Sequence, residues 1–159
     1  MTEVNGLRLA YRGLVAGLAG GYIWAAIAMT VAAIALGDPL RPLSPFAVAL
    51  TPRGATGELA FVLGLFAVQA GGAFIGMCFA YFFGRFFTVR QTVAAAGPCF
   101  ALLVWGMVVA AGVVGAPDAG PATIGTLATI GFGSLVGAAV PLRGEVVRYP
   151  VPGSGSPST

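Results

Sequence analysis

Residues 14–36 read LVAGLAGGYIWAAIAMTVAAIAL and contain no charged side chain. As an α-helix this stretch would rise by roughly 34 Å, which is enough to cross a hydrocarbon core of about 30 Å. Gly37, Asp38 and Pro39 follow it, and a glycine shortly before a proline is a typical end of a helix. The sequence therefore predicts a transmembrane helix here.

Three more apolar stretches predict further transmembrane helices, at residues 59–83, 93–114 and 122–140. The chain is therefore predicted to be all-α, with a four-helix transmembrane domain over residues 1–143. Residues 144–159 are polar and rich in Pro, Gly and Ser, a composition that predicts a cytoplasmic tail without a core of its own. Residues 46–50, between the first two helices, are apolar but too short to cross, and we interpret them as an interfacial helical turn or loop that lies on the membrane.

The composition is that of a membrane protein. Hydrophobic residues make up 58% of the 159 residues and charged residues 8%, whereas a soluble domain carries about 25% charged residues. All eight basic residues are Arg and they flank the apolar stretches, so the net charge of +3 does not indicate nucleic-acid binding. The expected partners are membrane lipids, and either other integral membrane subunits or further copies of the chain.

The arginines also predict the orientation. With four spans, the N-terminus, the loop between the second and third helices and the tail share one side. That side carries Arg8, Arg12, Arg85, Arg90, Arg143 and Arg148. The other side carries only Arg41 and Arg53, so the positive-inside rule places both termini in the cytoplasm. The absence of Lys is typical of coding in a bacterial genome rich in G and C, which indicates a bacterial cytoplasmic (inner) membrane.

Glycines recur in steps of four along three of the predicted helices. The positions predicted to pack against other helices are Gly13, Gly17, Gly21, Gly72, Gly76, Gly125, Gly133 and Gly137. Residues four apart share one helix face, and a face of glycines lets two backbones approach closely, which is a main source of helix attraction in lipid. The pattern fits packing within the four-helix bundle, and it also fits an interface with a partner or a second copy.

One spacing occurs in both the second and the fourth predicted helix. Steps of eight and four residues separate Gly64, Gly72 and Gly76, and again Gly125, Gly133 and Gly137. The first and third helices each carry one Trp, Trp24 and Trp105. Two hairpins in the same orientation, residues 1–84 and 85–143, would produce this pattern as a parallel repeat. Chance would also produce it easily in a chain with 25 glycines.

Polar side chains near the middle of the predicted spans are the candidates for ligand binding, namely Trp24, Gln69 and Trp105, with Thr129 at a similar depth. Trp usually lies at the membrane interface, so two Trp residues at the centre need partners for their indole N–H groups. Gln69 offers one acceptor and two donors. One interpretation is a small site that holds a lipid head group, a quinone or a pigment. The other is interhelical hydrogen bonding that strengthens packing.

The predicted spans contain no Asp, Glu, Lys, Arg or His. Proton relays and ion-coupled carriers use such groups, so the sequence argues against a pump. Ser134 lies among glycines but outside the G-x-S-x-G pattern, and the chain has no His to activate it. Cys78 and Cys99 lie in apolar stretches, where a free Cys behaves as a small hydrophobe. We therefore predict no enzyme, no catalytic residue, no metal site and no cofactor, apart from a bound lipid, quinone or pigment.

Two functions remain open from the sequence. The first is a non-catalytic accessory subunit or assembly factor of a larger membrane complex, of the respiratory or photosynthetic kind, because the chain offers Gly-rich helix faces and no chemistry of its own. The second is a small oligomeric channel or carrier for a neutral or lipidic solute, because of the Trp and Gln side chains at mid-span and the Thr residues of the fourth span.

Overall fold

The computed structural model describes residues 6–51, 57–84, 86, 89–112 and 119–140, with side chains from residue 123 onward in the last of these ranges. This part of the chain contains no strand and five helices, which are α1 (Gly6–Leu36), α2 (Ser44–Leu50), α3 (Gly57–Phe83), α4 (Arg90–Ala110) and α5 (Ala119–Ala139). Three of them, α1, α3 and α4, are long and apolar enough to cross a membrane, and α5 contains the shorter apolar stretch Thr123–Ala139. The all-α class is confirmed. The predicted tail, residues 144–159, lies outside the described residues.

The first helix is longer than the predicted span. It has 31 residues and rises by roughly 46 Å, because no breaker separates Gly6 from the apolar stretch that begins at residue 14. Its first two turns carry the exposed residues Arg8 and Arg12. It ends at Leu36, as predicted, where Gly37 has a φ of 70°. That left-handed conformation is one that glycine adopts without strain.

The fourth helix, α4, ends one turn before the predicted limit at residue 114. The backbone N–H of Ala111 donates to the carbonyl oxygen of Met107 at 2.9 Å, and that of Gly112 donates to Val109 at 3.0 Å. Gly112 then takes a φ of 72°. The apolar pattern continues past this glycine, so hydrophobicity alone placed the end of the helix too late.

The short helix α2 packs against α3 instead of only lying on a surface. Leu43, just before it, reaches Gly64 of α3, where an added Cβ would lie 2.6 Å from the Leu43 carbonyl oxygen. Leu43 and Ala47 are buried, whereas Val48 and Leu50 are exposed. The predicted interfacial segment is therefore helical, with one face built into the bundle and one face outward.

The long helices pack in the order α3, α1, α5, α4. Helix α1 packs on both α3 and α5, and α4 packs on α5, whereas α3 and α4 make few contacts with each other. The two hairpins of the predicted repeat, α1–α3 and α4–α5, each meet through glycine. Their relation is not symmetric, because α1 and α5 pack closely and the equivalent pair, α4 and α3, does not. The bundle is consequently open along one side.

Candidate functional site

The eight glycines predicted at helix contacts all face other parts of the same chain. On α1 and α3, an added Cβ at Gly17 would meet the Gly72 backbone, and one at Gly76 would lie 2.7 Å from the Cα of Gly17. On α4 and α5, an added Cβ at Gly133 would lie 2.6 Å from the Cα of Pro98. The remaining five positions also meet a neighbouring helix: Gly13, Gly21, Gly72, Gly125 and Gly137. Intramolecular packing therefore occupies these faces.

Gln69 binds the backbone of α1 in the middle of the α1–α3 contact. With the amide assigned in the orientation that satisfies both of its ends, the side-chain nitrogen donates to the carbonyl oxygen of Leu18 at 2.9 Å, and the oxygen accepts from the N–H of Tyr22 at 3.1 Å. The residue is 9% exposed, and the missing side chain of Gly21 makes room for the amide. A buried side-chain amide without hydrogen-bond partners would be costly in free energy. Here both ends of the amide are paired, so Gln69 joins two helices.

Trp24 makes the equivalent link between α1 and α5. Its indole nitrogen donates to the hydroxyl oxygen of Thr129 at 3.1 Å, and the two residues are 7% and 4% exposed. The indole ring also meets the ring of Phe46 of α2 edge-on, with centroids 5.6 Å apart. The indole N–H of Trp24 therefore has its hydrogen-bond partner inside the bundle.

Trp105 is half-buried and lies over the glycine face of α5. An added Cβ at Gly125 would collide with the indole ring, so this glycine makes space for the side chain. The rings of Trp105 and Trp24 have centroids 6.0 Å apart and planes inclined at 53°. The structure thus brings two of the three predicted ligand-binding residues together, while Gln69 turns toward α1.

A cavity of about 260 Å³, the α3–α4 pit, lies where α3 and α4 diverge. Its walls are formed on α3 by Ala67, Val68, Gly71, Gly72 and Ile75, and on α4 by Ala101, Val104, Trp105 and Val108. Residues of α1 and α5 form its floor, namely Gly21, Trp24, Thr129 and Phe132. The pit is open along the side of the bundle between the two walls.

Aromatic contacts stand at both ends of the α3–α4 pit. At the end where α2 lies, Phe46 lines the pit and meets Trp24. One turn beyond Ile75, toward the end where α1 begins, Phe79 of α3 meets Phe100 of α4 with ring centroids 5.4 Å apart. Between these ends, the α3 wall from Ala67 to Ile75 rises by only about 12 Å along the helix axis. The pit is short and bounded rather than a channel that runs through the bundle.

The chemistry of the α3–α4 pit is almost wholly apolar. Its lining residues are aliphatic, aromatic or glycine, except for Thr129, whose hydroxyl accepts from Trp24. Among the described residues, no buried side-chain nitrogen or oxygen lacks a hydrogen-bond partner. The pit therefore offers shape and a mainly apolar surface, with the indole N–H of the half-buried Trp105 as its one further donor.

The other candidate groups do not join this site. The hydroxyl of Ser134 is exposed and donates to the carbonyl oxygen of Ile130 in its own helix, at 2.8 Å. Cys99 is exposed and Cys78 is half-buried, both as free thiols. Over the described ranges, no group of three or more His, Cys, Asp or Glu residues is placed to hold a metal ion.

Sequence reasoning missed two residues that organise the bundle. Gly97 packs against the backbones of Gly133 and Gly137, and the buried series Val93, Gly97 and Ala101 in steps of four would have indicated it. Arg90 donates to the carbonyl oxygens of Ala138 and Val140 at 3.1 and 3.0 Å, at the end of α5. A cation there satisfies terminal carbonyls and favours the helix dipole, and no sequence signal connects residues so far apart.

No family model matches the chain, and comparison with curated proteins and with solved structures gives no significant match.

Replacement of Gln69 tests whether its amide holds α1 to α3. We expect Gln69→Leu to lower the free energy of unfolding by roughly 1 kcal/mol, since each interhelical hydrogen bond in a membrane bundle contributes about 0.6 kcal/mol on average. Unfolding in detergent, followed by circular dichroism, measures the change. Gln91→Leu, at an exposed position of α4, is the matched control and should have almost no effect. Equal stability of the two variants would show that the amide contributes nothing.

Proposed function

We propose that this chain is a non-catalytic integral membrane protein that serves as an accessory subunit or assembly factor of a larger membrane complex. The observation that carries the proposal is the use of the central polar side chains, because Gln69 binds the α1 backbone and Trp24 binds Thr129. Groups that hold helices together are not left to bind a polar substrate or to relay protons. The helices themselves would then perform the function, by packing against partner helices in the membrane.

The proposal includes a fourth span, formed by α5. This helix has 21 residues and rises by roughly 31 Å, comparable to α4. It packs between α1 and α4, and its residues from Thr123 to Ala139 include no charge. Because α1 and α4 are each long and apolar enough to cross a membrane, a helix packed on both shares their environment. We therefore place α5 across the bilayer as well.

The proposed location is the bacterial cytoplasmic membrane with both termini in the cytoplasm. Arg8 and Arg12 lie in the first turns of α1, and Arg90 begins α4. Arg90 reaches the end of α5, so these arginines lie at the same end of the bundle. The positive-inside rule assigns that end to the cytoplasm. A respiratory or photosynthetic complex is the kind of assembly that we propose as the host.

A second candidate function is an oligomeric carrier for a lipidic solute, and the α3–α4 pit favours it. The pit opens sideways between two apolar helices and is lined by apolar side chains, so a solute would enter from the bilayer and not from water. This geometry supports a carrier of apolar molecules better than a channel, since a channel needs a polar path from one end of the bundle to the other.

Co-purification distinguishes the two functions. A tagged chain is extracted in a mild detergent, and the complex is analysed by native mass spectrometry, with extraction in a second mild detergent as the control for chance association. Recovery with a larger membrane complex at a fixed stoichiometry in both detergents is the expected result. A homogeneous homo-oligomer in both would favour the carrier. A lone monomer in both detergents would contradict the subunit and the oligomeric carrier alike.

A further inference from the structure

We propose that the α3–α4 pit is a binding site for one acyl chain of a membrane phospholipid. The pit interrupts the packing of a bundle whose other long-helix contacts are close. The α1–α3 and α4–α5 pairs meet through glycines, whereas α3 and α4 diverge. An unfilled gap forfeits the dispersion contacts of the atoms that line it. At about 260 Å³ the pit exceeds the apolar cavity of about 150 Å³ that holds a benzene molecule, so it has room for a segment of chain.

The size of the pit selects a chain over a helix. A transmembrane helix is about 10–12 Å across with its side chains and needs about 30 Å of length. The α3 wall of the pit rises by only about 12 Å, and aromatic contacts of Phe46 and Phe100 stand at its two ends. A helix from a partner subunit or a second copy would rest across the opening without entering. A flexible hydrocarbon chain enters from the side, where the bilayer supplies it.

The chemistry of the pit selects an acyl chain over a scarcer ligand. Selectivity for a quinone or a pigment needs a group that binds its polar ring, because specificity is a difference between affinities. The one hydroxyl in the lining, on Thr129, already accepts from Trp24, and Gln69 is bonded to α1. The one further polar side-chain group in the lining is the indole N–H of Trp105, so apolar contacts dominate and the most abundant hydrocarbon chains in the bilayer occupy the site. The phospholipid head group stays outside.

The two Trp residues of the chain both line this pit, which makes its occupancy measurable. Trp24 is 7% exposed, so an acyl chain reaches its ring through the pit. In vesicles of phosphatidylcholine brominated at mid-chain, we expect the emission of Trp24 in the Trp105→Phe variant to fall by at least about half compared with unbrominated vesicles, since bromine quenches at contact. Absence of quenching would overturn the proposal.

Filling the pit gives the matched comparison. An added Cβ at Gly71 of the pit, or at Gly106 on the outer surface of α4, meets no atom within 4 Å, so both glycines accept a larger side chain without a backbone collision. In the Trp105→Phe background, Gly71→Leu should reduce the quenching of Trp24 at least twofold, whereas Gly106→Leu should leave it unchanged. Equal quenching in the two variants would contradict the proposal. Ala67→Leu, on the same wall, is a second filling variant, and circular dichroism checks the fold of each.

Native mass spectrometry identifies the chain in the pit. The protein released for mass spectrometry directly from vesicles of its own membrane, without detergent, should carry one phospholipid that the Gly71→Leu variant lacks, and Gly106→Leu should carry it. If Gly71→Leu loses a bound quinone or another isoprenoid and not a phospholipid, the assignment to an acyl chain is overturned. Loss of an oligomer in Gly71→Leu with no change in bound lipid would show that a second copy covers the site. These readouts do not depend on the host complex, so their failure is distinguishable from failure of the co-purification experiment.

Discussion

Gly76→Leu is expected to remove most of the folded protein. An added Cβ at Gly76 would lie 2.7 Å from the Cα of Gly17 and collide with the carbonyl oxygen of Gly13. Both obstacles are backbone atoms, which cannot rotate aside as a side chain can. Forcing extra carbons into a packed interior costs about 1–3 kcal/mol and occasionally more, and we expect about 3 kcal/mol or more here. Separation of α1 from α3 would also stretch the hydrogen bonds of Gln69.

The measurement is thermal unfolding in detergent, with the yield of monodisperse protein after extraction as a second readout. Gly106→Leu is the matched control, because a Cβ there meets no atom within 4 Å. The control should retain the yield and transition temperature of the parent protein, while Gly76→Leu loses most of the yield. If both variants behave alike, close packing of α1 on α3 is not what holds the bundle together.

Gly97→Leu is expected to release α4 from the rest of the bundle. Gly97 packs against the backbone of Gly133, and an added Cβ would lie 2.8 Å from the Cα of Gly137. Because α4 packs on α5 and makes few contacts with α3, no other interface compensates for the loss of this one. The cost should again be about 3 kcal/mol, and Gly97→Ala, with a single added carbon, should give a smaller loss in the same direction.

Trp105 reports on that release. Part of its ring lies over Gly125 of α5 and part lines the α3–α4 pit, so separation of α4 would expose the part on α5 to lipid as well. In a Trp24→Phe background, Gly97→Leu should increase the quenching of Trp105 by brominated phosphatidylcholine, and Gly106→Leu on the same helix should not. An unchanged signal together with full stability would mean that α4 is held by contacts other than the glycine face.

The sequence predicted the class of the fold because hydrophobicity and helix ends act locally. Long runs without charge predicted α1, α3 and α4, and Gly37 with Pro39 predicted the end of α1, which the structure places at Leu36. Errors arose where a local signal competed with another. Gly112, with a φ of 72°, ends α4 although the apolar pattern continues. Helix α1 starts two turns before the uncharged stretch, because the Arg and Leu residues in those turns also favour a helix.

The site was less predictable, because spacing identifies a helix face but not the face that meets it. Steps of four marked Gly72 and Gly133, yet nothing in the sequence shows that α1 packs on α5 while α3 and α4 diverge. Hence the sequence put Gln69 with the two Trp residues, whereas the structure turns its amide to the backbone of α1. The α3–α4 pit results from that asymmetric packing, so it too needed the three-dimensional arrangement.

Topology mapping shows whether the chain forms a four-span bundle with both termini in the cytoplasm. In a background of Cys78→Ala and Cys99→Ala, single cysteines are introduced by Asn5→Cys, Gly54→Cys and Ser154→Cys, and intact cells are treated with an impermeant maleimide. We predict labelling of the Gly54→Cys protein in intact cells, and labelling of the Asn5→Cys and Ser154→Cys proteins only after the membrane is opened. Labelling of only one of the two terminal positions in intact cells would show an odd number of spans and contradict the four-span bundle.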